Sequence, residues 1–476
     1  MTGLLLSGGM TVSSPTAPPV YRPLPSAHST VAWPALPAPE VALMGALLQQ
    51  LDESQWWAPE DMRAQQLRQA NALLVHAYRT VPFYRDRLAQ AGFVPGQTLT
   101  EDVWSAIPIL TRADLQEAGD RLLSTQIPER HGKTYDISSS GSTGRPVKAK
   151  GTRLVQFFWD AMTLREHIWH RRDFQGKLAA VRSFPSGVAD YPAGALSRHW
   201  GRSTKDIFAT GPSAMLTVST RTNDQVEWLL RQQPAYLLTY PSALQELLIH
   251  CKRERIRIPG LLQVRTLSEA LNPEIRGLCR DVLDLEIADL YSTQENGYLA
   301  FQCPEQGAYH VQAESALLEV LDEQGRACVP GEVGHVVVTS LHNFAMPMLR
   351  YAVGDLAEAG ALCPCGRGLP VLNRILGRVR NVLVYPDGRR SRPRTIEIWE
   401  DGVLDIRQMQ IIQHALDDIE IRLVTGHPFA EAEEKLVQAR FHQCTGHNFS
   451  TRITYHQEIP RGPSGKFEDF RSEVAD

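Results

Sequence analysis

Between Lys177 and Ser292, short apolar runs alternate with longer amphipathic ones. "KLAAVRSF", "AYLLTY", "QVRTLSEA" and "EIADLYS" read as strands, and "SALQELLIHCKRERI" reads as a helix between two of them. Strands joined by helical crossovers pair in parallel, and a parallel sheet needs helices on its faces. The alternation therefore predicts an α/β fold with mainly parallel sheets in a large N-terminal domain. "SALLEVLDEQGRACVPGEVGHVVVTSL" has another rhythm, with DEQG and PGEVG as turns between strands. It predicts a separate antiparallel β subdomain.

The flanks complete the organisation. Residues 1–39 are rich in Pro, Ser and Ala with no hydrophobic period, and read as a flexible or extended arm. From Val41 to about Leu88 the apolar residues recur at helical spacing, and Pro82 interrupts them, so two helices should meet there. The large domain is expected over 40–379. Residues 380–476 have the length of a small, mobile α+β domain.

With 43% hydrophobic and 21% charged residues, the chain has the composition of a soluble globular enzyme. A formal charge of −4 carries no electrostatic footprint for nucleic acid or an acidic membrane. No apolar run approaches the roughly 18 residues that cross a bilayer, and "MTGLLLSGGM" lacks the basic start of a signal peptide. A cytoplasmic protein is expected. Its seven cysteines then call for a role other than a disulfide framework.

"SSSGSTGRPVKAK", residues 138–150, concentrates small hydroxyl residues and glycines ahead of basic ones. Such a segment lets backbone N–H groups and hydroxyls approach phosphate oxygens. It is not a P-loop, because Gly141 and Gly144 lack the following Gly-Lys-Ser/Thr. A Ser/Gly linker has the same composition. Its place between strand-like "TYDIS" and helical "LVQFFWDAM" favours a phosphate loop.

This stretch resembles the phosphate loop of the adenylate-forming superfamily, and three further motifs follow in the same order. "YSTQE" (Tyr291 to Glu295) resembles the segment that grips AMP and magnesium, and "RYAVGDL" (Arg350 to Leu356) the strand whose Asp holds the ribose. "IPRGPSGKFE" (Ile459 to Glu468) resembles the C-terminal loop with the catalytic lysine. "VPFYRDRL", "TLSEALNPEIR" and "CPCGRGLPVLNRILGR" are similar to signatures of the phenylacetate–CoA ligase branch. The resemblance spans about residues 41 to 476. It implies ATP-dependent joining of a carboxylic acid to AMP, with magnesium, then acyl transfer to CoA. The acid it implies is aromatic or arylacetic.

Attack of a carboxylate on the α-phosphate builds charge on equatorial oxygens, so positioning and electrostatics dominate. Lys466 is a compact cation suited to carboxylate and phosphate together. Glu295 offers a hard oxygen to magnesium. The resemblance further gives Ser140, Gly141, Ser142, Thr143 and Gly144 to the phosphates. It gives Ser268, Glu269, Ala270, Tyr291, Ser292, Gln294, Asp355 and Arg378 to the nucleotide. Asp355 would accept from the ribose hydroxyls and Tyr291 would stack on adenine, unless it is a buried strand-end aromatic. Arg380 stands at the family's hinge. Cys303, His310, Cys363 and Cys365 form a Cys3His set suited to structural zinc; two unrelated loops with free thiols are the other reading. Cys251, Cys279, Cys328 and Cys444 read as packing residues. The acid pocket is expected among Tyr240 to Leu244, the strand before Tyr291 and "SFPSGVADYPAGAL", with Phe158 and Trp159 near one wall.

Departures from the pattern bear on the acceptor. Gln294 replaces a hydroxyl residue, and Ala352 and Val353 replace polar ones. After the hinge, "VYPDGRRSRPR" replaces the usual pantetheine-lining loop, bringing Arg389, Arg390, Arg392 and Arg394. These arginines suit CoA phosphates, an acidic carrier-protein face, or merely solvent. Transfer to an amine, a hydroxyl or a carrier-protein thiol stays open, as does a nucleotide-binding protein without catalysis. The sequence sets no oligomeric state, a homodimer being one option.

Overall fold

The computed structural model describes residues 24–31, 33–138, 147–393, 395–399, 403–462 and 464–474. The mixed α/β architecture expected from the alternation is present. Five parallel strands lie side by side: Ile287–Thr293, Gln263–Leu267, Tyr236–Thr239, Leu178–Arg182 and Ser213–Thr217. Ala195–Ser197 adds a short antiparallel edge. Alternate side chains sort to opposite faces. Ala179 and Val181 join the core with Leu229, Leu244 and Ile275, from the helices Thr222–Gln232, Pro241–Glu254 and Pro273–Leu283. Leu178 and Tyr236 face the other way, onto Ala161, Met162 and Leu164 of the helix Arg153–Trp169. A slip of one residue would turn the first set toward the second helix layer, so burial on both faces fixes the register.

The antiparallel strands do not form a separate subdomain; they continue the same sheet to twelve strands. Ile287–Thr293 folds straight back onto Gly297–Gln302, and five further antiparallel strands follow, ending at Ala316–Leu321. A tight turn makes this reversal. Thr293 Oγ1 accepts from Asn296 N at 3.0 Å, and Gly297 takes φ +84°, a conformation that favours glycine. The turn thus sits at the centre of the sheet, at the C-terminal end of a parallel strand.

The N-terminal region holds three helices rather than two, Pro39–Ser54, Pro59–Thr80 and Tyr84–Gln90. Pro82 makes one break as expected; the other falls before Pro59, which starts its helix where a missing N–H costs nothing. Of the expected arm, residues 1–23 and 32 lie outside the described residues. Its remainder packs: Ala27 N donates to Leu36 O at 2.7 Å, and Leu24 rests against the Pro39–Ser54 helix at Gly45.

After the strand Val371–Arg378 and a 3-10 turn at Val379–Asn381, the chain enters a smaller unit. Four strands, Ser450–Tyr455, Asp418–Thr425, Ile406–Ala415 and Phe470–Ser472, stack in that order. Ile411, Ile421, Val437, Phe441 and Phe470 bring them together with the helix Glu431–Thr445. Among the described residues, no helix is long and apolar enough to cross a membrane.

Candidate active site

Asp355 and Arg378 lie directly opposite each other on paired strands. Arg378 Nε is 3.2 Å from Asp355 Oδ1, and its Nη1 donates to Val353 O at 2.7 Å. From the parallel strand Ile287–Thr293, Tyr291 OH donates to Asp355 Oδ2 at 2.7 Å. Both carboxylate oxygens are therefore oriented. Burial, then the Asp355 charge, hold the Tyr291 hydroxyl well above its ordinary range, so it stays a donor. The Asp355 charge in turn holds the Arg378 guanidinium up.

The reversing turn carries Gln294, exposed, and Glu295, half-buried. Ser292 lies one step earlier, opposite Tyr298. Glu295 has no hydrogen bond or ion pair among the described residues, although its charge reaches Tyr291, Arg378 and Lys466. A half-buried carboxylate left unpaired in this way fits a hard cation. Ser140, Gly141, Ser142, Thr143 and Gly144 lie outside the described residues.

From the smaller unit, the loop holding Lys466 reaches across. Gly465, at φ +77°, passes so close that a Cβ there would stand 2.8 Å from Ser183 Cβ. Tyr240 OH donates to Ser464 O at 3.1 Å. Arg461 donates to Ser242 Oγ at 2.7 Å and to Glu246 at 2.8 Å. Glu269 accepts from Phe467 N at 2.8 Å and from Ser242 N at 2.9 Å. Ser268 precedes it in the left-handed region, φ 71°, which turns the chain back over the helix start. Burial pushes both Glu246 and Glu269 up, and Arg461 opposes that shift in each.

Lys466 is half-buried where these groups converge. Burial draws its ammonium below the ordinary lysine range, with Glu269 as the largest opposing influence. Ser268, Glu269, Ala270, Arg378 and Lys466 line one cleft of about 900 Å³ between the two units. Arg380, in the 3-10 turn, lies on the same cleft and forms an ion pair with Glu468. The motifs holding Glu295, Asp355 and Lys466 thus come within electrostatic range of one another, the phosphate loop lying outside the described residues. Arg461, Ser242 and Glu246 were missed, because nothing in "PSALQE" signals a dock for a loop more than two hundred residues away. Tyr240, on the segment expected to border the acid pocket, turns its hydroxyl to that loop.

Elsewhere, Cys303, His310, Cys363 and Cys365 converge, their ligand atoms all within 4.8 Å of one another. Cys303 and Cys363 sulfurs are 3.9 Å apart, and Cys365 Sγ is 3.3 Å from His310 Nε2. Tetrahedral zinc with bonds near 2.3 Å would set thiolates about 3.8 Å apart, so the donor set fits. Cys251 and Cys279 are buried in the core, and Cys328 and Cys444 half-buried.

Residues 395–472 match the family model described as CapK C-terminal domain. A phenylacetate-coenzyme A ligase of Thermus thermophilus is 27% identical over 386 residues, covering 78% of this chain and 83% of that protein. Among solved structures, a 2-hydroxyisobutyryl-CoA ligase in its post-adenylation state, with an acyl-AMP bound, superposes with TM-score 0.69. It is 18% identical and covers 89% of this chain and 92% of its own. The same ligase in its thioesterification state gives TM-score 0.55, at 20% identity, 88% of this chain and 92% of its own.

Proposed function

We propose that this chain, a phenylacetate–CoA ligase-like member of the adenylate-forming superfamily, is an acid–thiol ligase. It joins a carboxylic acid to AMP, releasing pyrophosphate, and passes the acyl group to CoA. The observation that carries the reading is Lys466, held by its docked loop beside the Asp355–Arg378 pair. In the reaction a carboxylate oxygen of the acid bonds to the α-phosphorus while the bond to pyrophosphate breaks. Lys466 offsets the charge gathering on both partners in a water-poor cleft. Asp355, oriented by Tyr291 and Arg378, accepts from the ribose, and the Ser268–Ala270 loop borders the nucleotide. The phosphate loop from Ser140 to Gly144 would hold the leaving phosphates. A magnesium ion, once bound, would offset phosphate charge, and Glu295 is the residue to hold it. Division at Arg380 into a large and a mobile domain follows from the same reading, as does a cytoplasmic setting.

An aromatic or arylacetic acid is the preferred substrate class. ATP–pyrophosphate exchange over a panel of aromatic, arylacetic, fatty and amino acids, with and without CoA, tests this. Exchange with one acid and a thioester on adding CoA supports it; no exchange with any acid overturns it. Transfer to another acceptor is favoured by one observation. Arg389 stacks on Tyr385 at 3.8 Å and Arg392 pairs with Asp469 at 3.2 Å, so two of the post-hinge arginines are engaged internally. Exchange without thioester would select that reading.

Zinc at Cys303, His310, Cys363 and Cys365 would tie two loops beside the strand Tyr309–Val311. Metal analysis should find about one zinc per chain. Cys363→Ser should lose it and lower the unfolding temperature; unchanged stability with no metal would mean free thiols.

A further inference from the structure

Arg182 ends the parallel strand Leu178–Arg182, on the face turned toward the helix Arg153–Trp169. That strand is central, flanked on both sides, yet Ala180, Arg182 and Leu238 on this face are only half-buried. A gap therefore opens between helix and sheet at the carboxyl ends of the strands, where open α/β sheets take their ligands. Its walls are aromatic. Trp159 lies 4.7 Å from Tyr298, ring centre to ring centre, and Thr163 Oγ1 is 3.4 Å from the Tyr298 hydroxyl.

The Arg182 guanidinium has no hydrogen-bond or ion-pair partner among the described residues, and its Nε is buried. Its charge reaches Tyr298. The carboxylates on the facing helix are engaged elsewhere. Glu166 is gripped by Arg172 at 2.7 Å and Arg265 at 2.5 Å, and Asp160 accepts from Ser203 at 2.6 Å. A half-buried guanidinium whose Nε is out of water and without an acceptor leaves one donor unmet, and its planar fork matches a carboxylate. Ser183, the next residue, is where the Gly465–Lys466 loop rests. An acid whose reacting carboxylate lies at Lys466 can thus extend its other end into the gap.

We propose that Arg182 is a specificity-determining residue, and that the acid substrate is an aromatic one bearing a second oxygen acceptor on its ring, best an anionic one, which Arg182 binds between Trp159 and Tyr298. The inference rests on the aromatic-acid reading above but is tested apart from it. The probes are 4-carboxyphenylacetate, 4-hydroxyphenylacetate and 4-methylphenylacetate, each followed by pyrophosphate exchange and, with AMP present, by calorimetric binding. A charge-assisted hydrogen bond predicts that the wild type favours the two oxygenated acids over the methyl one by roughly ten- to a hundredfold. Arg182→Leu should erase or invert that preference while keeping activity on the methyl acid. Arg182→Lys, which keeps a cation, should retain part of it and guards against misfolding as the cause.

A wild type that does not discriminate overturns the proposal. So does an Arg182→Leu enzyme that loses all three acids equally, since Arg182 would then hold the reacting carboxylate or the fold. If no acid supports exchange, binding decides. Discrimination that vanishes in Arg182→Leu upholds the pocket while sinking the ligase reading, and binding that is absent or indifferent sinks the pocket as well.

Discussion

At the scale of single residues, Lys466 stands in the cleft among carboxylates, with Arg378 as a second cation in range. Lys466 reaches the site on a loop whose docking holds Glu269 and Asp355 within electrostatic range. Lys466→Ala removes the charge that meets the transition state and leaves Tyr291, Asp355 and Arg378 in place. Adenylate formation should fall by at least about a hundredfold while ATP binding, followed by equilibrium titration, changes little. Equal loss of both would make Lys466 a binding residue only. The sequence singled out the lysine, Asp355 and Tyr291 because each sits in a short motif of fixed spacing. Arg461 and Glu246 were not, because their meaning lies in a contact between distant segments. Glu269 was read as a nucleotide residue, yet its oxygens hold Ser242 and Phe467.

At the scale of elements, two devices invite tests. The first is the loop clamp, where Arg461 pairs with half-buried Glu246 at 2.8 Å and acts on half-buried Glu269 by its charge. Arg461→Ala would leave Glu246 without its ion-pair partner, a loss of roughly 3 kcal/mol in the docked pose. Pyrophosphate exchange should slow strongly, whereas thioester formation from preformed acyl-adenylate should be nearly spared; equal slowing of both would refute the clamp. The second lies on the small sheet, where Arg422 and His414 at 3.0 Å and Thr454 at 2.9 Å converge on Glu420. Burial works to raise its pKa, yet these bonds hold the carboxyl down to about 2, against an ordinary 4.5. A depressed carboxylate stabilises the fold above its unfolded pKa and loses that contribution as pH falls toward its folded one. The unfolding free energy from denaturant titrations should therefore drop between about pH 4.5 and 2, by on the order of 3 kcal/mol, and Glu420→Gln should flatten that drop. Four of the five parallel strands of the large sheet were readable from β-rich runs, whereas no strand of the small sheet was. The continuity of the large sheet was not, because a five-residue reversal at Thr293 looks in sequence like any other strand end.

At the scale of the whole molecule, the chain is two bodies meeting at one cleft, with Arg380 in the short turn between them. Proline at that position would fix φ near −65° and remove the ion pair to Glu468. Arg380→Pro should keep pyrophosphate exchange within a few-fold and cut thioester formation by about a hundredfold or more, because the small domain could no longer swing. Loss of both alike would mean the turn serves folding instead. A small C-terminal domain was expected from the length of residues 380–476, but which surfaces meet was not legible, since docking is written in side chains scattered over both bodies. The docked loop also has a consequence for fidelity. On the reaction proposed above, while Tyr240 grips Ser464 and Glu269 grips Phe467, a newly made mixed anhydride would sit under a seal, and an acceptor would enter once those grips let go. The seal is therefore a timer: too loose, and water drains the anhydride as wasted ATP; too tight, and the anhydride is safe but stranded.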